Sequence, residues 1–250
     1  MGDGAGESLV SRVTRIVEAF APEERALGVS EIARRTGLPV PTVSRLVEQL
    51  VRSGWLERQE DRRVRVGVRL WEVASRAAPT LGLRQAAMPF MEDVHGVVGH
   101  HVQLGLREGR EVLFVERLSA PGAVVNVTRV AGRLPLHASS AGLVLLAFSP
   151  AEVQDEVLGG RLRPYTEHTI TEPRRLRRVL AEIRRTGAVV CPGHIHPDAT
   201  GVAVPVRDAD GVVDAALGVV VPNDGAARRA VPALSTAALG IQRIRAALSR

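Results

Sequence analysis

The chain has 250 residues, a formal net charge of +6, 45% hydrophobic residues and one cysteine. That length admits two domains with separate cores. The lone cysteine excludes an intramolecular disulfide and a thiolate cluster, which fits a reducing cytoplasm, and no apolar run reaches the roughly 18 residues of a membrane span. The sequence contains no lysine, so all 33 basic side chains are arginine; the positive balance suits a nucleic-acid partner without requiring one.

Residues 1–7 are Gly-rich and acidic, the composition of a disordered start. Ser8–Phe20 predicts a helix with Leu9, Val13, Ile16, Val17 and Phe20 on one face, and a polar link covers 21–28. From 29 to 54 the pattern predicts two short helices joined by a tight turn. Ser30 is placed to cap the first, Gly37 to end it in a left-handed conformation, and Pro39 and Pro41 to open the second. Val43, Leu46, Val47 and Leu50 then form one apolar stripe. Val40, Thr42, Ser44 and Arg45 are left at the exposed start of the second helix, where a helix-turn-helix meets base edges in the major groove. Residues 55–67 alternate, turn through Gln59–Arg63 and alternate again, as in the hairpin wing of a winged helix. Arg58, Arg62, Arg63 and Arg65 suit phosphate contact there, although Glu57, Glu60 and Asp61 dilute the field.

A helix follows from Val68 to Ala78, with Leu70, Val73 and Ala74 on one face and Trp71 beside it. Pro79–Gly82 is expected to break it before a second helix, Leu83–Val94, bent at Pro89. Two helices around a break predict a linker over 68–96 whose apolar stripe can pair with a second copy. From residue 97 the chain predicts an α+β domain around a largely antiparallel sheet. Its strands lie at 101–106, 111–117, 124–130, 188–191, 201–206 and 213–221. Its helices lie at 141–148, 150–158, 171–185 (capped by Thr171) and 233–248.

Three stretches, Gly37-Leu-Pro-Val-Pro-Thr-Val-Ser-Arg-Leu, Leu134-Pro-Leu-His-Ala-Ser-Ser-Ala-Gly, and Val202-Ala-Val-Pro-Val followed by Asp208-x-x-Gly, stand in an order that resembles the IclR family of bacterial transcriptional regulators over nearly the whole chain. The resemblance implies a winged helix-turn-helix domain (1–67), linker helices (68–96) and a GAF-like effector-binding, oligomerising domain (97–250). It implies a non-enzymatic regulator, more simply a repressor, that works as a homodimer or homotetramer on a near-palindromic operator in double-stranded DNA. No membrane role and no cofactor beyond a small-molecule effector are expected. By position, the family's pocket falls on Leu134, Ser140, Ala141, Cys191, His194, Gly201, Gly218 and Val220. The small and apolar residues at several of these places predict an effector larger and more apolar than a two- or three-carbon acid. Cys191, His194 and His196 carry the donor types of a zinc site without a strong zinc spacing. Cys191 with His194 defines the rival expectation, a small metal- or thiol-dependent enzyme on the C-terminal domain.

Overall fold

The computed structural model describes residues 7–21, 24, 26–77 and 79–248. The stretch expected to be disordered lies outside them except for Glu7, as do Pro22, Glu23 and Arg25 of the polar link and Ala78. The chain divides into two compact units, 1–78 and 79–250. This boundary falls inside the expected linker, so the two helices placed there belong to different units.

The first unit holds α1 (Leu9–Glu18), α2 (Val29–Thr36), α3 (Val40–Arg52), β1 (Leu56–Arg58), β2 (Val64–Val66) and α4 (Val68–Ala77). Ser8 caps α1, its Oγ accepting from Ser11 N–H at 3.0 Å. The cap of α2 is Gly28, not Ser30, because the helix starts at Val29; Glu31 in the first turn then faces the positive helix end. Gly37 has φ +67° and closes α2, and Pro41 lies in the first turn of α3. Ile16, Ile32, Val43, Leu46, Val47, Leu50, Leu56 and Val64 form one buried core. β1 and β2 pair antiparallel with Leu56 opposite Val66 and Arg58 opposite Val64. Leu27 extends the hairpin through reciprocal 2.8 Å bonds with Val64. By contrast α4 leaves Val68, Trp71 and Val73 48–67% exposed.

The second unit begins with α5 (Pro79–Val98). The expected break at 79–82 is absent, because proline is compatible with a first helical turn; Pro89 does lie inside the helix. There follow β3 (His101–Glu108), β4 (Glu111–Leu118), β5 (Arg133–Pro135), α6 (Ser140–Ala147), α7 (Ala151–Gly159), α8 (Pro173–Thr186), β6 (Val189–Pro192), β7 (Ala199–Arg207), β8 (Val213–Pro222) and α9 (Val231–Leu248). The strands form one antiparallel sheet in the order β5-β4-β3-β8-β7-β6. Strand alternation sends side chains to two cores. Val202, Val204, Leu217 and Val219 pack with α5 and α9 through Ala87, Met91, Leu234 and Ile241. Val112, Phe114, Ala203 and Ala216 pack with α6 and α8 through Leu143, Leu146, Leu176 and Ile183.

The expected strand at 124–130 is irregular. Asn126 Oδ1 accepts from Thr128 N–H at 2.9 Å, a local turn that takes the place of ladder bonding. Thr171 is not the cap of α8; the cap position is Glu172, with no side-chain bond. All of α6 is buried, and Ser139 Oγ caps it by accepting from Gly142 N–H at 3.1 Å. A Cβ on Gly142 would stand 2.5 Å from the Leu136 carbonyl oxygen, so the helix end is set by direct backbone approach. Among the described residues no helix is long and apolar enough to cross a membrane.

Candidate functional site

Each unit carries its own site. In the first, the apolar stripe of α3 turns inward, and that rotation puts Val40, Ser44 and Arg45 on the exposed side with Thr42 half-buried. Not every arginine expected at the DNA is equally free. Arg58 of the wing ion-pairs with Glu48 of α3, Arg65 pairs with Glu57 across the hairpin at 2.9 Å, and Arg63 donates to the Ala26 carbonyl. The side chains of Arg45 and Arg62 take no partner among the described residues. Arg62 also has φ +65° at the wing tip, a conformation unusual outside glycine. An unpaired guanidinium can meet a phosphate or a guanine without first giving up a carboxylate. Behind this surface Arg35 is ion-paired with Glu24 and Glu31 and donates to the Ala19 carbonyl at 3.0 Å, which ties α2 to the end of α1.

In the second unit a small cavity opens beside the N-terminus of α6. Cys191, Gly201 and Val220 are direct partners across β6, β7 and β8, so the pleat carries them to the same face. Leu134 stands in the middle of β5, Ser140 at the start of α6 and His194 in the loop after β6; all six border the cavity. A Cβ on Gly201 would come within 2.7 Å of Ser140 Oγ, so a side chain there would have to displace that hydroxyl.

Two residues expected at the pocket lie outside its lining. Ala141 is fully buried in the core beneath α6. Gly218 serves a close strand crossing, where a Cβ would meet the Val202 carbonyl oxygen at 2.7 Å. The cavity is completed by residues that the sequence reading did not place there: Gln103 of β3, Val125–Thr128 of the irregular loop, and Ile195 after β6. Gln103 was detectable in principle, as a polar residue between Val102 and Leu104 in an apolar strand; it is 2% exposed.

The loop bearing His194 is anchored from below. Thr166 Oγ1 donates to the Gly193 carbonyl and Thr169 Oγ1 to the His194 carbonyl, both at 2.6 Å. Burial, with Arg175 and His168 adding like charge, holds the His194 imidazole down to a pKa of about 4 against the opposing pull of the Ala138 carbonyl. It is therefore neutral at physiological pH. Cys191 is also buried, and desolvation alone pushes its thiol far above the ordinary range. A thiol held protonated is a poor nucleophile and a poor metal ligand. His196 Nδ1 accepts from Asp198 N–H at 3.3 Å. Among the described residues no three His, Cys, Asp or Glu side chains converge as a metal site, so Cys191, His194 and His196 do not form the expected alternative.

This arrangement, a two-helix reading head with a wing and an enclosed pocket at a helix N-terminus, has close counterparts. Residues 9–60 match the IclR helix-turn-helix domain, and residues 75–243 match the bacterial transcriptional regulator IclR C-terminal domain. The HTH-type transcriptional regulator XynR of Escherichia coli K12 is 27% identical over 210 residues, 83% of each chain. The TsaQ1/TsaQ2 regulator of Comamonas testosteroni is 30% identical over 205 residues, 80% of this chain and 74% of that one. Among solved structures, an IclR homolog from Microbacterium hydrocarbonoxydans complexed with 4-hydroxybenzoate is 48% identical, covers 96% of this chain and 100% of its own, and superposes with a TM-score of 0.93.

Proposed function

The chain belongs to the IclR family of bacterial transcriptional regulators, with a DNA-binding head and an effector-binding C-terminal unit, and from that premise we propose that it is a repressor switched by a monocyclic aromatic acid. The reading rests on the pocket. Val125, Val127, Leu134, Ile195 and Val220 supply apolar wall beside Gln103, Asn126, Thr128, Ser140 and His194, a mixed lining that suits a ring with polar substituents better than a two- or three-carbon acid. The 4-hydroxybenzoate held by the 48% identical Microbacterium protein supports the same class of ligand. The N–H groups at the start of α6 supply the positive end for a carboxylate.

On the DNA side Arg45, Ser44 and Thr42 face base edges, Val40 offers an apolar contact, and the wing meets phosphate through Arg62 first. The exposed Val68, Trp71 and Val73 of α4 supply an apolar patch for a second copy. A homodimer, or a homotetramer of two such pairs, then reads two half-sites about one helical turn apart, a near-palindromic operator. The effector acts by binding the DNA-competent and DNA-incompetent arrangements with unequal affinity. No part of this requires an enzyme.

The test is fluorescence anisotropy with the full-length protein and DNA from upstream of its own gene, in a salt series with scrambled competitor. Specific binding that 4-hydroxybenzoate releases, and that pyruvate and glyoxylate leave alone, is the expected result. Specific DNA binding indifferent to every aromatic acid tried removes the effector reading and leaves the regulator.

A further inference from the structure

We propose that His194 and Asn126 are the specificity-determining residues of this pocket: His194 Nδ1 accepts a hydrogen bond from a ligand hydroxyl, Asn126 Nδ2 donates one to a ligand carboxylate, and the pocket thereby selects hydroxylated aromatic acids over benzoate. The proposal rests on the aromatic-acid reading above and adds what the ring must carry.

The polarity of His194 follows from its partners. The residue is 8% exposed, and the Ala138 carbonyl acts on its ring strongly enough to pull its basicity upward against burial. A carbonyl only accepts, so the ring nitrogen facing it bears the proton. That nitrogen is Nε2, because Nδ1 is buried with no partner among the described residues. A neutral imidazole has one N–H. Nδ1 is therefore a desolvated lone pair on a residue that lines the cavity, which is unfavourable until a donor reaches it. The low basicity of the ring keeps it in that form throughout the neutral range.

Asn126 has the opposite polarity. Its Oδ1 accepts from Thr128 N–H at 2.9 Å and faces Thr128 Oγ1 at 2.7 Å. The backbone N–H can only donate, and this fixes which end of the amide is oxygen. Thr128 Oγ1 also stands 2.6 Å from Gln103 Oε1. The single hydroxyl proton of Thr128 is shared between Gln103 Oε1 and Asn126 Oδ1, and Asn126 Oδ1 keeps the backbone N–H in either case. Asn126 Nδ2 is left buried, a donor without an acceptor among the described residues. The residues lining the cavity thus carry one unmet acceptor and one unmet donor, on His194 and Asn126. Benzoate and 4-methoxybenzoate answer only the donor; 4-hydroxybenzoate and 4-aminobenzoate answer both. A site with a buried group left unpaired by the wrong ligand discriminates strongly.

Calorimetric titration of the full-length protein with these four acids tests the assignment. The wild type is expected to bind 4-hydroxybenzoate and 4-aminobenzoate at least tenfold more tightly than the other two. His194→Phe, which keeps a ring and removes the lone pair, levels the four. Asn126→Ala weakens all four by a similar factor and keeps the preference. Equal affinities in the wild type, or a preference that survives His194→Phe, overturn the proposal while the aromatic-acid reading stands; no binding of any acid at millimolar concentration overturns both. If His194→Phe does not fold, ¹⁵N spectra of histidine-labelled wild type decide. The His194 Nδ1 resonance moves on adding 4-hydroxybenzoate and stays on adding benzoate, and a resonance indifferent to both ligands refutes the contact.

Discussion

The reading head and the pocket solve recognition in opposite ways. In the head the contacting groups stand on the outside of one helix and one hairpin, charged, hydrated and partly committed to neighbouring carboxylates such as Glu48 and Glu57. In the pocket they are neutral, buried and drawn from strands, loops and a helix start between Gln103 and Val220. Exposed charges are individually weak and screened by salt, so affinity in the head is a sum over many contacts. A few buried neutral groups decide which molecule enters the pocket. The cores beneath the two sites are also separate clusters.

That separation is most directly broken, or upheld, from the head's core. Leu46→Ala removes a buried side chain beneath α3 and is expected to destabilise the head by about 2–5 kcal/mol. Thermal unfolding followed by circular dichroism reads the loss, and calorimetry with 4-hydroxybenzoate reads the pocket. Loss of ligand affinity in parallel would mean the two cores are not independent.

A second effect belongs to the pocket unit. The His194 pKa is about 4 in the folded chain against an ordinary 6.5. Between those values the unfolded chain binds a proton that the folded chain refuses, so stability is full above pH 6.5 and falls as the pH drops towards 4. The loss amounts to as much as about 3 kcal/mol. His101 and His137 are shifted downward by burial too and act in the same direction. Urea unfolding at pH 7 and pH 4.5 measures the sum, and His194→Gln is expected to shrink the difference; a pH dependence unchanged in that variant argues against a buried neutral imidazole.

Smaller effects sharpen the contrast within the head. Arg45→Ala is expected to cost about 1–3 kcal/mol on the operator and little on scrambled DNA. Arg62→Ala weakens both alike and lowers the salt slope by about one. Equal behaviour of the two variants would place Arg45 on phosphate instead of a base. Smallest of all, Glu48→Gln frees Arg58 and is expected to tighten DNA binding by less than about 1 kcal/mol; weaker binding would show that the pair positions the wing.

How much of this was legible in sequence follows the same division. The head is local: Gly37, the stripe Val43–Leu50 and an alternating hairpin determine their surroundings within a few residues, and the differences are at helix ends, as where the cap of α2 is Gly28 and not Ser30. The pocket depends on pairings between distant strands. Cys191, Gly201 and Val220 come together through register, which no local window contains. Residues 124–130 alternate like a strand, yet the Asn126 side chain takes the backbone N–H that a ladder would have used. Gly218 and Ala141 look, by position, like the residues that border the cavity, but one serves a strand crossing and the other a core.

That irregular loop has a practical consequence. The floor of the cavity is built where Gly201 of β7 packs on the Ser140 side chain at the start of α6, a helix end that Gly142 holds against the Leu136 backbone. The rim carries Val125 and Val127, both more than half exposed, on a segment tied to the sheet by His101 at the Val124 carbonyl, Thr128 at Gln103, Arg117 at the Thr128 carbonyl and Phe114 at Ala131 and Gly132. Evolution, or an engineer building a reporter for a different small molecule, can vary the rim while inheriting the floor unchanged.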